Sequence, residues 1–196
     1  MNKIVLASNN AGKLKEFGQL LAPLGIEVLP QSAFNVSEAE EPHVTFVENA
    51  LAKARHCSRI TGLPALADDS GLCVDVLGGA PGVKSARYAG EPKSDARNNE
   101  KLLADLKDAT DRRAHFTCVL VLVRHADDPQ PVICEGEWPG EILTAPRGAE
   151  GFGYDPLFGV PGTGQSAAEL SHEEKNARSH RGQAVAKLVA RLSGRG

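Results

Sequence analysis

Lys3-Ile4-Val5-Leu6-Ala7, running without a break into Ser8-Asn9-Asn10-Ala11-Gly12-Lys13, decides the fold. The first five residues form a short β-branched run that reads as a strand. Behind Lys13, Leu14, Phe17, Leu21 and Leu24 recur on one helical face, and Gly25 supplies the stop. Ile26–Leu29 is then a second strand, so the chain opens as a strand–helix–strand unit. In such sheets ligands bind where a strand ends and a helix begins, and the 8–13 loop occupies that place. Asn9 and Asn10 offer amide donors, Gly12 permits close backbone approach, and Lys13 brings a point charge suited to phosphate. The loop is not a Walker A loop, because Lys13 is followed by Leu14 and not by Ser or Thr.

Outward from this unit, helices and strands continue to alternate. Residues 37–43 are acidic and contain a proline, and read as a loop. Thr45 and Glu48 have capping-box spacing at the start of a second helix, closed by Gly62. Asn49, Lys53 and His56 share one face of it. Ala65-Leu66-Ala67 is a short buried-type strand delivering Asp68-Asp69-Ser70-Gly71, and residues 78–82 form a turn cluster. Ser94 caps a polar helix running to Leu106; residues 115–124 and 131–138 are strands, paired as a hairpin. Gly148 to Gly153 is a glycine-rich loop, and a helix from about Ser179 to Leu192 precedes a frayed tail at 193–196. The reading is one α/β domain over 1–196, two lobes around a long mixed sheet flanked by helices.

Composition narrows the function. The 196 residues carry 22 Lys+Arg against 25 Asp+Glu, a net charge of −3, so duplex nucleic acid is not the expected partner. A polyanion must instead be gripped by a few placed cations. No apolar run approaches a membrane span. Four cysteines without a CxxC pair read as reduced thiols of a cytoplasmic protein.

The chemistry-bearing residues point to a metal-assisted phosphoryl reaction. Adjacent carboxylates at Asp68 and Asp69 repel unless a cation intervenes, and along an extended chain they face opposite ways. One is then a ligand for Mg²⁺, and the other holds a lysine or a helix N-terminus. Asp-Asp-Ser-Gly is equally a good turn sequence. Glu38, Glu40 and Glu41 form an acidic cluster from which Glu40 or Glu41 supplies a second carboxylate. Phe152, between glycines, is placed to stack on a base, whereas Tyr154 reads more readily as a core aromatic. Lys175, His180 and Arg181 bring several donors within one turn of a helix start. Neither a serine-nucleophile elbow nor a Cys/His pair is present.

Taken in order, these blocks resemble the inosine triphosphate pyrophosphatase family. The matching blocks are 8–13, Thr45 through Ala54, Ala67 through Leu72, Gly78 through Tyr88, Gly151 through Pro156 and Ser179-His180-Arg181. The resemblance implies a homodimer with a nucleotide cleft between two lobes. It implies Mg²⁺-dependent hydrolysis of dITP, ITP and XTP to monophosphate and pyrophosphate, a house-cleaning hydrolase keeping such nucleotides out of DNA and RNA. Carried over residue by residue, Ser8, Asn9, Asn10, Ala11, Gly12 and Lys13 hold the triphosphate, and neutralising the pyrophosphate leaving group is a task for Lys13, Lys53 and Mg²⁺. Asp69 is proton acceptor and metal ligand, with Glu40 or Glu41 as second ligand, and Ser70 contacts substrate. Phe152, Gly153, Tyr154, Asp155, Lys175, His180 and Arg181 form the base and sugar pocket. Loop amides and the His180/Arg181 pair would donate to the 6-oxygen, leaving adenine's amine without a match. Two alternatives stay open: a pyrophosphatase for modified pyrimidine or 7-methylguanine nucleotides, and a nucleotide-binding regulator without turnover.

Overall fold

The computed structural model describes residues 1–194. The strands are β1 (Lys3–Leu6), β2 (Glu27–Pro30), β3 (Ala65–Val74), β4 (Arg113–Val123), β5 (Val132–Ile142), β6 (Phe158–Val160) and β7 (Gln165–Ser166). They form one sheet in the order β2-β1-β3-β4-β5-β6-β7. β1 pairs in parallel with β2 and β3, whereas β6 pairs antiparallel with β5 and β7, so the sheet is mixed as the sequence indicates. The helices are α1 (Ala11–Leu21), α2 (Phe46–Thr61), α3 (Asp95–Asp105), α4 (His172–Arg178) and α5 (His180–Ser193). The expected tail at 193–196 starts later than read, since Ser193 closes α5; Arg195 and Gly196 lie outside the described residues.

The chain divides into two compact units. Unit 1 comprises residues 1–69, 119–135 and 184–196. Its core gathers Val5, Ala65, Ala67, Val119, Val121 and Val123 from the strands. Against them α2 sets Ala50, Ala54 and Cys57, a helical stripe of small residues that brings its backbone near the sheet. Thr45 Oγ1 accepts from the Glu48 amide to cap α2, and Gly62 ends it in left-handed conformation, both as its sequence predicts.

Unit 2 comprises residues 70–118 and 136–183. Leu102 and Leu106 pack with Phe116, Trp138, Ile142 and Phe158, and the Phe116 ring lies 4.5 Å from that of Phe158. β5 runs on through Pro139 and Gly140, past the end expected at Trp138. Gly140 explains the extension: a Cβ there would meet the Phe158 ring at 2.5 Å and the Gly159 carbonyl oxygen at 2.6 Å, so only glycine lets β6 close on β5.

Two further expectations change. Asp68-Asp69-Ser70-Gly71 is neither a turn nor a strand end; it lies inside the ten-residue β3, with buried Ala65, Leu66 and Ala67 before it and buried Leu72 and Val74 after it. The 171–181 segment is two helices, not one helix start. Ser171 builds a full capping box with Glu174 to begin α4, and α5 begins afresh at His180.

Candidate active site

In unit 1, β3 carries its two aspartates to opposite faces. Lys13, from the first turn of α1, places its ammonium 2.7 Å from Oδ2 and 2.8 Å from Oδ1 of Asp68. The loop feeding α1 is ordered by its own side chains: Ser8 Oγ accepts from the Asn10 amide, and Asn10 Oδ1 caps the Lys13 amide at 3.1 Å.

Asp69 meets Lys53 from α2, whose ammonium donates to Oδ1 at 3.2 Å and lies 3.3 Å from Glu41. Asp69 is only 8% exposed, and among the described residues its Oδ2 is buried without a hydrogen-bond partner. Burial pushes its pKa above the usual carboxylate value; Lys53 opposes this and the charge of Glu41 reinforces it. For Lys53 burial acts downward, but Asp69, Glu41 and Asp68 together outweigh it and leave the ammonium more firmly protonated than usual. Three carboxylates thus face two ammoniums, leaving one negative charge uncompensated.

The acidic loop is fastened to the shared face of α2 that the sequence identifies. Asn49, buried, accepts from the His43 amide at 3.1 Å and donates to the His43 carbonyl at 3.2 Å. His56 lies 3.0 Å from the Ser37 carbonyl oxygen. With both ends tied, Glu41, itself exposed, reaches Lys53, while Glu40, also exposed, forms no ion pair among the described residues.

In unit 2 the glycine-rich loop is sewn down by carboxylates. Asp155 Oδ2 accepts from the Phe152 amide at 2.8 Å and from the Lys175 ammonium at 2.5 Å. The Gly153 amide donates to Asp95 at 2.8 Å, and its carbonyl accepts from Asn99 at 2.9 Å. The amides of Phe152 and Gly153, expected to read a purine 6-oxygen, are therefore already engaged. Gly151 is required here: its φ is +80°, and a Cβ would collide with the Asp155 carboxylate.

Tyr154 is a core residue whose hydroxyl donates to the Ser85 carbonyl at 2.7 Å. Phe152 is 67% exposed, with the Lys175 ammonium 5.1 Å over its ring. His180 stacks on Phe116 at 5.0 Å and 16°, and Arg181 follows it in α5. Ser70 Oγ is buried without a hydrogen-bond partner among the described residues. Sequence reasoning missed Asp95 and Asn99; their i, i+4 spacing just behind the Ser94 cap marked one helix face but not what it would hold.

The group fit for a metal rests on Asp69 and Glu41. Among the described residues no set of three or more His, Cys, Asp and Glu side chains is placed to hold an ion alone. Two hard carboxylates with one oxygen unpartnered and one charge uncompensated suit Mg²⁺, which keeps waters and phosphate oxygens for its other positions.

The mixed seven-stranded sheet flanked by helices defines the class as an α/β protein. The chain belongs to the Ham1 family, whose model matches residues 4–191. The family assignment drawn from the six sequence blocks is borne out. A dITP/XTP pyrophosphatase of Ralstonia nicotianae is 67% identical over 195 residues, covering 98% of this chain and 97% of the relative. One of Aromatoleum aromaticum is 68% identical over 191 residues, covering 97% and 96%. Among solved structures, a HAM1 protein from Coxiella burnetii superposes with a TM-score of 0.97 at 52% identity, covering 99% of this chain and all 100% of that one. The Staphylococcus aureus Ham1 protein gives 0.93 at 42% identity, again covering 99% and 100%. Among the described residues no helix is long and apolar enough to cross a membrane.

Proposed function

We propose that this chain is a nucleoside triphosphate pyrophosphatase that hydrolyses dITP, ITP and XTP to the monophosphate and pyrophosphate. The observation that carries the reading is Asp69: buried, held by Lys53 through one oxygen, with the other making no hydrogen bond among the described residues and its basicity raised by burial. A general base needs that combination of rigidity, reach and proton affinity. The relatives bearing the dITP/XTP pyrophosphatase name support the substrate class.

In this account Asp69 takes the proton of a water whose oxygen attacks the α-phosphorus. The bond from that phosphorus to the bridging oxygen breaks, and pyrophosphate leaves with the electron pair. Lys53 and Lys13 offset the charge that grows on the leaving group. Asp69 and Glu41 would hold Mg²⁺, which supplies neutralisation of phosphate charge when bound. Ser8 to Gly12 orient the triphosphate at the start of α1, where first-turn amides attract anions. Phe152 stacks on the base, Lys175, His180 and Arg181 contact base and sugar, and Ser70 contacts substrate. With the Phe152 and Gly153 amides engaged, reading of the 6-oxygen falls to His180 and Arg181.

In the cell the reaction keeps deaminated purine nucleotides out of DNA and RNA. The free cysteines, three of them with burial foremost in raising their pKa, suit a reducing cytoplasm. The homodimer is proposed on the family likeness and is tested by sedimentation. The function itself is tested by incubating dITP with protein and Mg²⁺ and resolving the products. dIMP with pyrophosphate is expected; dIDP with orthophosphate overturns the proposal.

A further inference from the structure

The 151–155 loop ends up with an unusual division of labour. Its ring at Phe152 stands mostly in solvent, yet the backbone beneath it is fastened at three points. One is local, the Asp155 carboxylate on the Phe152 amide. The other two come from α3, more than fifty residues earlier in the chain: Asp95 accepts from the Gly153 amide and Asn99 donates to the Gly153 carbonyl. Asp95 and Asn99 are one helical turn apart on α3, so they grip both polar groups of one peptide residue from one face. Ser94 caps α3 through the Arg97 amide and Leu102 is fully buried, which makes the helix a fixed support.

Gly153 has φ +62°, where the backbone has little intrinsic preference to stay. Freed from α3, the loop could rotate about Gly151 and Gly153, both with positive φ, and carry the Phe152 ring with it. A flat ring stacks on a base only if its plane is held before the base arrives, because ordering it afterwards subtracts from affinity.

We propose that Asp95 and Asn99 are positioning residues that preorganise Phe152, so that α3 sets nucleotide affinity without touching the nucleotide. The inference rests on the reading of Phe152 as the base-stacking residue. It places the effect on binding of the base, leaving phosphate binding and the chemical step alone.

The test is a double-mutant cycle on KM for dITP with Asn99→Ala, Phe152→Ala and the double variant, alongside inhibition by inorganic tripolyphosphate, which has no base to stack. Asn99→Ala is expected to raise KM about tenfold, comparable with loss of a base–aromatic stack. The tripolyphosphate inhibition constant and kcat should stay within about twofold. In the double variant the two effects should not add, since Asn99 acts through the Phe152 ring. Asp95→Asn, which keeps an acceptor for the Gly153 amide, should restore most of what Asp95→Ala loses. Additive effects, or a parallel rise in the tripolyphosphate constant, overturn the positioning role while leaving Phe152's role intact. If Phe152→Ala itself leaves KM unchanged, the stacking reading falls, and the clamp's role falls with it.

Discussion

Lys13 holds Asp68 with its ammonium 2.7 and 2.8 Å from the two carboxylate oxygens, across 55 residues of chain. Asp68 is almost fully buried and the lysine only partly exposed. The pair ties the first turn of α1 to the middle of β3 within unit 1. The cation assigned to the triphosphate is therefore already oriented by the protein. Asp68, whose purpose the sequence leaves open, is its holder.

Removing the ammonium leaves that carboxylate buried and uncompensated. Lys13→Met should lower stability by about 2–4 kcal/mol and raise KM for dITP roughly tenfold. Asp68→Asn, which removes the buried charge but leaves a polar partner, should cost less stability than Lys13→Met. Chemical denaturation and steady-state kinetics check both. Equal losses in the two variants would show that the charge pairing is not what matters.

Asp69 makes the opposite prediction for stability. Its native pKa lies above the unfolded value, chiefly because it is buried, with Glu41 adding to the shift. In the window between the two values the native state binds more protons than the unfolded one, so stability falls as pH rises through it. Asp69→Asn should therefore melt at or above the wild-type temperature at pH 7 in the absence of metal, with the difference vanishing below about pH 4. Its turnover should fall by about 10²–10⁴-fold. A variant both inactive and less stable at neutral pH would mean Asp69 is structural.

Glu40 and Glu41 are adjacent in sequence but not in setting. Both are exposed, but Glu41 reaches the ammonium that Asp69 also uses, at 3.3 Å, and among the described residues Glu40 forms no ion pair. Glu41→Gln should raise the Mg²⁺ concentration for half-maximal activity by about tenfold, with Glu40→Gln within twofold. Mn²⁺ titration followed by electron paramagnetic resonance checks the same order without turnover. Chelation should abolish activity, and added Mg²⁺ restore it.

Gly182 lies in the first turn of α5, packed against the C-terminal end of α4. A Cβ there would collide with the Asn176 carbonyl oxygen and lie 3.3 Å from Ser179 Oγ, although helical backbone accepts alanine readily. Gly182→Ala should therefore cost about 1–3 kcal/mol, against the usual gain from replacing a helical glycine. By displacing α4 it should also raise KM for dITP, through Lys175. A stabilised variant with unchanged KM would remove this constraint.

Much of this architecture is legible because local rules and tertiary packing agree. The Thr45 cap, the Gly62 stop and the buried Phe17 and Leu21 of α1 appear where their residue types place them, whereas α1 ends at Leu21 and Gly25 closes a separate 3-10 turn, Ala22–Leu24. The failures come where distant contacts override local signals. Asp-Asp-Ser-Gly has turn chemistry, but it lies inside β3, beside β4 in the sheet, and lysines on both faces hold its two carboxylates. Pro139 and Gly140 look like a strand end, yet the glycine is there to admit β6. The Ser171–Glu174 capping box is a visible signal of α4 that the close-spaced charges obscure. For the proposed site, residue types bring forward Asp69, Lys53 and Lys13 as candidates, and the structure sets Lys53 on Asp69 and Lys13 on Asp68. Residue types do not disclose that Asp95 and Asp155 occupy the loop amides, because that depends on where α3 meets the loop.

The central claim is that water, deprotonated at Asp69, attacks the α-phosphorus. Hydrolysis of dITP in ¹⁸O-labelled water, with mass analysis of both products over a single turnover, tests it most directly. One labelled oxygen in dIMP and none in pyrophosphate is the predicted result. Label in pyrophosphate, with dIMP unlabelled, would place the attack on the β-phosphorus and contradict the account.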